Sequence, residues 1–146
     1  MFKSYVQIGL LVAFFSSLFG VSYTKLYYEF LFDFSFNLQV LKIPFIFLAL
    51  SLLIAGISWF FTHYITKSGA FIFNVLLSSI TLISILLPIF YTPNFSKEVE
   101  MPEMFISFVL PLHFIVPMFW LTFSSHFLKS KAWKILLLLL LFFWIS

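Results

Sequence analysis

The placement of charge constrains this chain more than any motif does. No Asp, Glu, Lys or Arg occurs in residues 4–24, 43–66, 68–96, 104–128 or 135–146. A bilayer core of about 30 Å is crossed by about 20 apolar residues of helix, so the first four gaps each hold one span: Tyr5–Tyr23, Ile43–Tyr64, Ala70–Tyr91 and Phe105–Phe123. Inside hydrocarbon every backbone N–H and C=O must be satisfied within its own segment. These stretches are therefore expected to be helices, despite their many β-favouring Phe and Ile residues.

Composition agrees with that reading. Hydrophobic residues make up 63% of the 146 and charged residues 9%, and mean hydropathy is +1.15. Soluble domains carry roughly a quarter charged residues, so this chain cannot build a wettable surface. That excludes a water-soluble enzyme, a nucleic-acid binder and a disordered tail. The expected fold is an all-α membrane protein: one domain over residues 1–146, an antiparallel bundle of four transmembrane helices, and a short C-terminal hydrophobic helix. With no Cys, no disulfide, thiolate nucleophile or Cys-ligated metal is possible. All eight basic residues are Lys and 24 residues are Phe, which points to an AT-rich, bacterial genome.

Two segments allow alternatives. Residues 132–146 reach about 22 Å at 1.5 Å per residue, short of the core, so they form a short span, a half-inserted helix or an interfacial segment. Lys3, the apolar stretch after it and Gly20-Val21-Ser22 resemble a signal peptide; a retained first helix is the preferred reading.

The lysines set the orientation. With the N-terminus inside, the inner segments carry Lys3, Lys67, Lys129, Lys131 and Lys134 and no acid, while the outer segments carry Lys25, Lys42 and Lys97 with all five acids, Glu29, Asp33, Glu98, Glu100 and Glu103. We therefore expect a multi-pass protein of the bacterial inner membrane with a cytoplasmic N-terminus. Tyr5, Tyr23, Trp59, Tyr64, Tyr91, Trp120 and Trp133 fall where interfacial aromatic belts belong.

The loops carry two local signals. From Phe30 to Val40 the even positions are all apolar, and Asp33, Ser35, Asn37 and Gln39 are polar. This period of two is the mark of a half-buried extended strand, which allows either a short β-segment capping the bundle in the first outer loop or an extended loop lying along the headgroups with its Phe side in the acyl chains. The turn Thr66-Lys67-Ser68-Gly69 makes spans two and three a tight hairpin, with Gly69 free to take positive φ.

Polar side chains within the spans are few. Gly9, Ala13, Ser16, Ser17 and Gly20 in span one, and Ser51, Ala55, Gly56 and Ser58 in span two, have the small-residue spacing that lets helices approach. Asn74, Ser78, Thr81 and Ser84 share a stripe of span three, suited to interhelical hydrogen bonds or to a wet cavity. In span four, His113 is the only ionisable group near mid-membrane, and an intramembrane ionisable residue is a functional candidate by default. Pro111 and Pro117 flank it and withhold donors from the carbonyls of Ser107 and His113, so a kink is expected there. Ser16, Ser51, Thr81 and Ser84 lie at similar depth, and the His113 ring should bond a span-two or span-three hydroxyl or a freed carbonyl. No phosphate loop, nucleophile elbow, zinc motif or paired intramembrane carboxylate occurs, and no cofactor or metal is expected.

The stretch Ser51–Phe90, with its turn Ile65-Thr66-Lys67-Ser68-Gly69 and its close at Leu87-Pro88, resembles an uncharacterised family of small bacterial four-span membrane proteins. The entry Gln39-Val40-Leu41-Lys42-Ile43-Pro44 and the mid-depth His113 are similar to that family too. The resemblance covers residues 5–126 and implies a fold but no chemistry. Two functions follow as expectations. One is an accessory, scaffold or interaction subunit whose partners are membrane lipids and other membrane subunits or itself. The other is a transport protein, or a protein binding a lipid, quinone or other apolar ligand around His113. An open space beside His113 favours the second.

Overall fold

Apolar segments without water to bond to satisfy their backbones by coiling, and the described parts of the first four charge-free stretches do so here. The structure, a computed structural model, describes residues 2–31, 33, 38–65, 68–91 and 102–127. Its elements are α1 (Phe2–Phe30), α2 (Lys42–Phe60), a π-helical turn continuing α2 (Phe61–Ile65), α3 (Gly69–Ser84), the short α4 (Leu86–Tyr91) and α5 (Pro102–Phe127). Four helices, Phe2–Phe30, Lys42–Ile65, Gly69–Pro88 and Met104–Phe127, are long and apolar enough to cross a membrane. The break between α3 and α4 falls at Ile85, one turn before Pro88, which has no N–H to give the Ser84 carbonyl.

α1 is the central rod, packed along α2 on one side and α5 on the other. Small residues make the first interface. A methyl added at Gly9 would lie 3.0 Å from Ala55 Cβ and 3.2 Å from the Ser51 carbonyl, and one at Gly20 would run into the Phe47 ring. Gly56 has no atom within 4 Å of such a methyl, so it takes no part in this contact. Aromatic rings make the second interface. Phe15 and Phe119 stack with centroids 6.1 Å apart, and Phe19 lies 5.4 Å from Phe119.

α1 runs a further two turns beyond Tyr23, the end expected from charge spacing. The cause is an aromatic cluster. Tyr23, Tyr27 and Tyr28 surround the fully buried Phe108 of α5 at 5.9, 5.0 and 5.3 Å, and Tyr27 Oη donates to the Met104 carbonyl at 2.8 Å. These contacts hold the extra turns in helical form.

That extension bears on the expected β-segment. Phe30 ends α1, Leu31 is a turn, Asp33 is irregular, and Leu38–Val40 is bend and turn; residues 32 and 34–37 lie outside the described residues. The Gln39 and Val40 carbonyls accept from Lys42 and Ile43 at 2.9 and 3.3 Å, starting α2 rather than a ladder. Tyr28 Oη donates to the Leu38 carbonyl at 2.6 Å, tying this segment to α1. Among the described residues there is no strand, and none of them offers the period-two segment an edge to pair with. The C-terminal helix expected at 132–146 also lies outside the described residues.

Two further expectations change. Gly69 does not have positive φ. Its lack of a Cβ matters because one would overlap the Phe61 carbonyl and crowd the backbone of Thr62, so this glycine closes the α2–α3 turn by close approach. Trp120 and Tyr5 are not belt residues: Trp120 is fully buried and Tyr5 is 8% exposed. Trp120 faces Phe73 of α3 edge-on at 6.4 Å. Trp59 fits a belt better, half-buried near the turn between Phe2 (5.1 Å) and His63 (5.6 Å, nearly parallel).

Candidate functional site

α2 turns its small residues, Ser51, Ala55 and Ser58, towards α1, and all three are buried. Its bulkier side chains then face α3. The two helices are pinned at the Gly69 turn but touch little above it. α5 backs the gap they leave. The result is a cavity of about 560 Å³ whose walls come from α2, α3 and α5, within the size range of sites for small apolar ligands.

The cavity is long and nearly all apolar. Its lining runs along α2 from Ile43 to Phe61, roughly 27 Å at the helical rise, so its volume is a narrow slot. The floor is buried: Phe47, Ile54, Phe73, Leu77, Leu112 and Val116 are each at most 9% exposed. The rim is exposed and equally apolar, with Ile46, Leu50, Leu53 and Ile57 on α2 and Leu76 and Ile80 on α3. The mouth thus opens sideways between α2 and α3.

Three polar side chains reach the lining: Thr81, Ser84 and His113, with Pro117 beside them. Thr81 Oγ1 donates to the Leu77 carbonyl and Ser84 Oγ to the Thr81 carbonyl, each at 2.7 Å. His113 Nδ1 lies 3.0 Å from the Val109 carbonyl. A carbonyl only accepts, so Nδ1 carries the proton of this bond. The ring is held by its own helix, at a carbonyl that is not one of those freed by proline, and among the described residues no hydrogen bond joins it to Ser51, Thr81 or Ser84.

The other sequence-derived candidates lie elsewhere. Ser16 and Ser51 are fully buried, but neither lines the cavity, and their hydroxyls find no hydrogen-bond partner. They serve the α1–α2 interface by being small. Asn74 and Ser78 are half-buried, off the cavity, with Ser78 Oγ donating to the Asn74 carbonyl at 2.9 Å. The span-three stripe therefore bonds within its own helix rather than between helices. Ser and Thr hydroxyls reach the carbonyl three or four residues back without any help from a neighbouring helix. Among the described residues, no group of three His, Asp or Glu side chains could hold a metal ion.

α5 passes through Pro111 and Pro117 as one helix. Pro111 leaves the Ser107 carbonyl without its usual donor, and Tyr23 Oη of α1 supplies one at 3.3 Å. This cross-helix bond predicts a specific coupling. Tyr23→Phe is expected to cost about 0.6 kcal/mol, the mean for such bonds in lipid. In a Pro111→Ala background the backbone N–H of residue 111 takes over that carbonyl, and Tyr23→Phe becomes close to neutral. A double-mutant cycle on bundle stability checks this; additive costs would contradict it.

The walls of the cavity, Phe47, Ile54, Leu77, Leu112 and Val116, escaped the sequence reading. A Leu that faces a slot and a Leu that faces lipid look alike in sequence, so only the polar groups His113, Thr81 and Ser84 and the prolines beside His113 pointed to the place. Comparison with known proteins finds no matching family, no similar curated protein and no similar solved structure.

Proposed function

We propose that this chain is a small bacterial inner-membrane protein that takes an apolar, lipid-like ligand sideways from the bilayer into the cavity beside His113. The observation that carries the reading is the open slot itself, with a buried apolar floor, an exposed apolar rim and three polar groups on its lining. A subunit that only packs against partners has no need of a void beside its one mid-span histidine, since empty lining forfeits dispersion contacts. The outward faces fit hydrocarbon: Phe14, Phe45, Phe71 and Ile83 are 56–74% exposed, and such surface in water would drive aggregation.

The test is native mass spectrometry of the detergent-purified protein with an added long-chain hydrocarbon. Stoichiometric binding is expected, and Leu77→Trp, which fills the slot from its floor, should abolish it while the melting temperature holds. Equal uptake by the wild type and by Leu77→Trp would refute the site.

Orientation is part of the same reading. The excess of lysine without acid at Lys3 and Lys67 places those segments in the cytoplasm. In this Cys-free chain, an impermeant thiol reagent applied to intact cells should label Ser35→Cys and Ser96→Cys but spare Ser68→Cys. Labelling of Ser68→Cys would reverse the topology.

A further inference from the structure

The hydrogen bonds around the cavity restrict which apolar ligand it takes, and this step rests on the binding function proposed above. Each polar side chain on the lining has spent its proton on a carbonyl of its own helix: Thr81 on Leu77, Ser84 on Thr81, His113 Nδ1 on Val109. What remains free in the neutral state is a lone pair on each hydroxyl oxygen and on His113 Nε2. The carbonyl of His113, whose usual helical donor is replaced by Pro117, adds an acceptor on the same turn. Every other lining side chain is hydrocarbon. The wall therefore offers acceptors and no free side-chain donor.

We infer that the ligand is a hydrocarbon chain carrying a hydroxyl group, such as a long-chain or isoprenoid alcohol, a quinol or a lipid with a free hydroxyl, which donates to the acceptors around His113. A quinone or an ester brings only carbonyl oxygens and would set acceptor against acceptor. Burying such a group without a partner costs more than leaving it in the membrane interface. The hydroxyl donor, by contrast, gains a partner that it lacks in the bilayer core, while the chain fills the narrow slot.

The experiment compares hexadecanol, its methyl ether and hexadecane on the purified full chain in nanodiscs, with affinity read by native mass spectrometry. Hexadecanol should bind roughly tenfold more tightly than the other two, the affinity equivalent of one well-made hydrogen bond. In His113→Leu and, separately, in Ser84→Ala, the preference should shrink while the ether binds as before. Equal binding of all three by the wild type would overturn the donor assignment and leave the apolar site standing. Binding of none would overturn the site itself. Displacement of hexadecanol by dioleoylglycerol or by farnesol tells a glycerolipid source from an isoprenoid one, and either displacement supports a hydroxyl donor.

Discussion

Trp120→Ala should destabilise the bundle by about 2–3 kcal/mol, at or just below the range for deleting a buried aromatic ring. The ring is fully buried, wedged beside Phe73. In lipid the transfer part of the usual cost is reduced, because separated helices would still hold the side chain in hydrocarbon. The cavity and the lost dispersion contacts remain. Trp120 Nε1 has no hydrogen-bond partner, so its loss removes an unsatisfied donor and offsets part of the damage. Trp120→Phe, which keeps most of the ring and drops that donor, should cost under half as much. Trp59→Ala, at a half-buried position near the turn, should cost less than either. Unfolding in mixed micelles ranks the three, and a larger loss at Trp59 than at Trp120 would show that Trp120 is a belt residue after all.

Gly69→Val is the second large effect, at about 3 kcal/mol, the upper end for overpacking. A side-chain tip can swing aside, but the new Cβ here meets the Phe61 carbonyl and the Thr62 Cα, which are backbone. The α2–α3 turn must open, which shifts α3 against α2 and deforms the slot between them. Ligand uptake should fall together with melting temperature. Gly56→Ala, with no atom within 4 Å of the added methyl, should leave both unchanged. A Gly69→Val protein as stable as the parent would mean that the turn is not closed by this contact.

The two glycines show where sequence reading stops. Gly69 was legible as a turn residue from Thr66-Lys67-Ser68 before it, but not that it is needed for close approach to the Phe61 carbonyl rather than for positive φ, and nothing in the letters shows that Gly56 faces open space. Helices were legible because a charge-free run of about 20 residues in hydrocarbon has one way to satisfy its backbone. Their ends were less so: α1 continues past Tyr23 because Tyr27 and Tyr28 close on Phe108 of α5, a contact 80 residues away in the chain. The alternation from Phe30 to Val40 begins inside that extended helix, since Phe30 is its last residue, and most of the segment it describes lies outside the described residues.

The candidate site was legible in part. His113, Thr81 and Ser84 were chosen by depth and polarity, and all three line the cavity. Ser16 and Ser51 were chosen by the same rule and do not, because depth fixes height along the bundle but not which side of a helix faces which neighbour. α2 presents Ser51 to α1 and its Leu and Ile residues to the slot. His113 was expected to bond a hydroxyl of another span or a carbonyl freed by proline, yet its own helix offers the Val109 carbonyl one turn away, and the nearer partner wins.

Ligand entry into the slot is measured most directly by photo-cross-linking with a diazirine-bearing hexadecanol in native membranes, with adducts mapped by peptide mass spectrometry. Adducts should concentrate on the slot, at Leu50, Ile54, Leu77 and Leu112, be competed away by unlabelled hexadecanol and be lost in Leu77→Trp. Adducts spread evenly over the outward faces, as frequent at Phe14 and Leu18 as at Ile54 and Leu77 and not reduced by competitor, would contradict it.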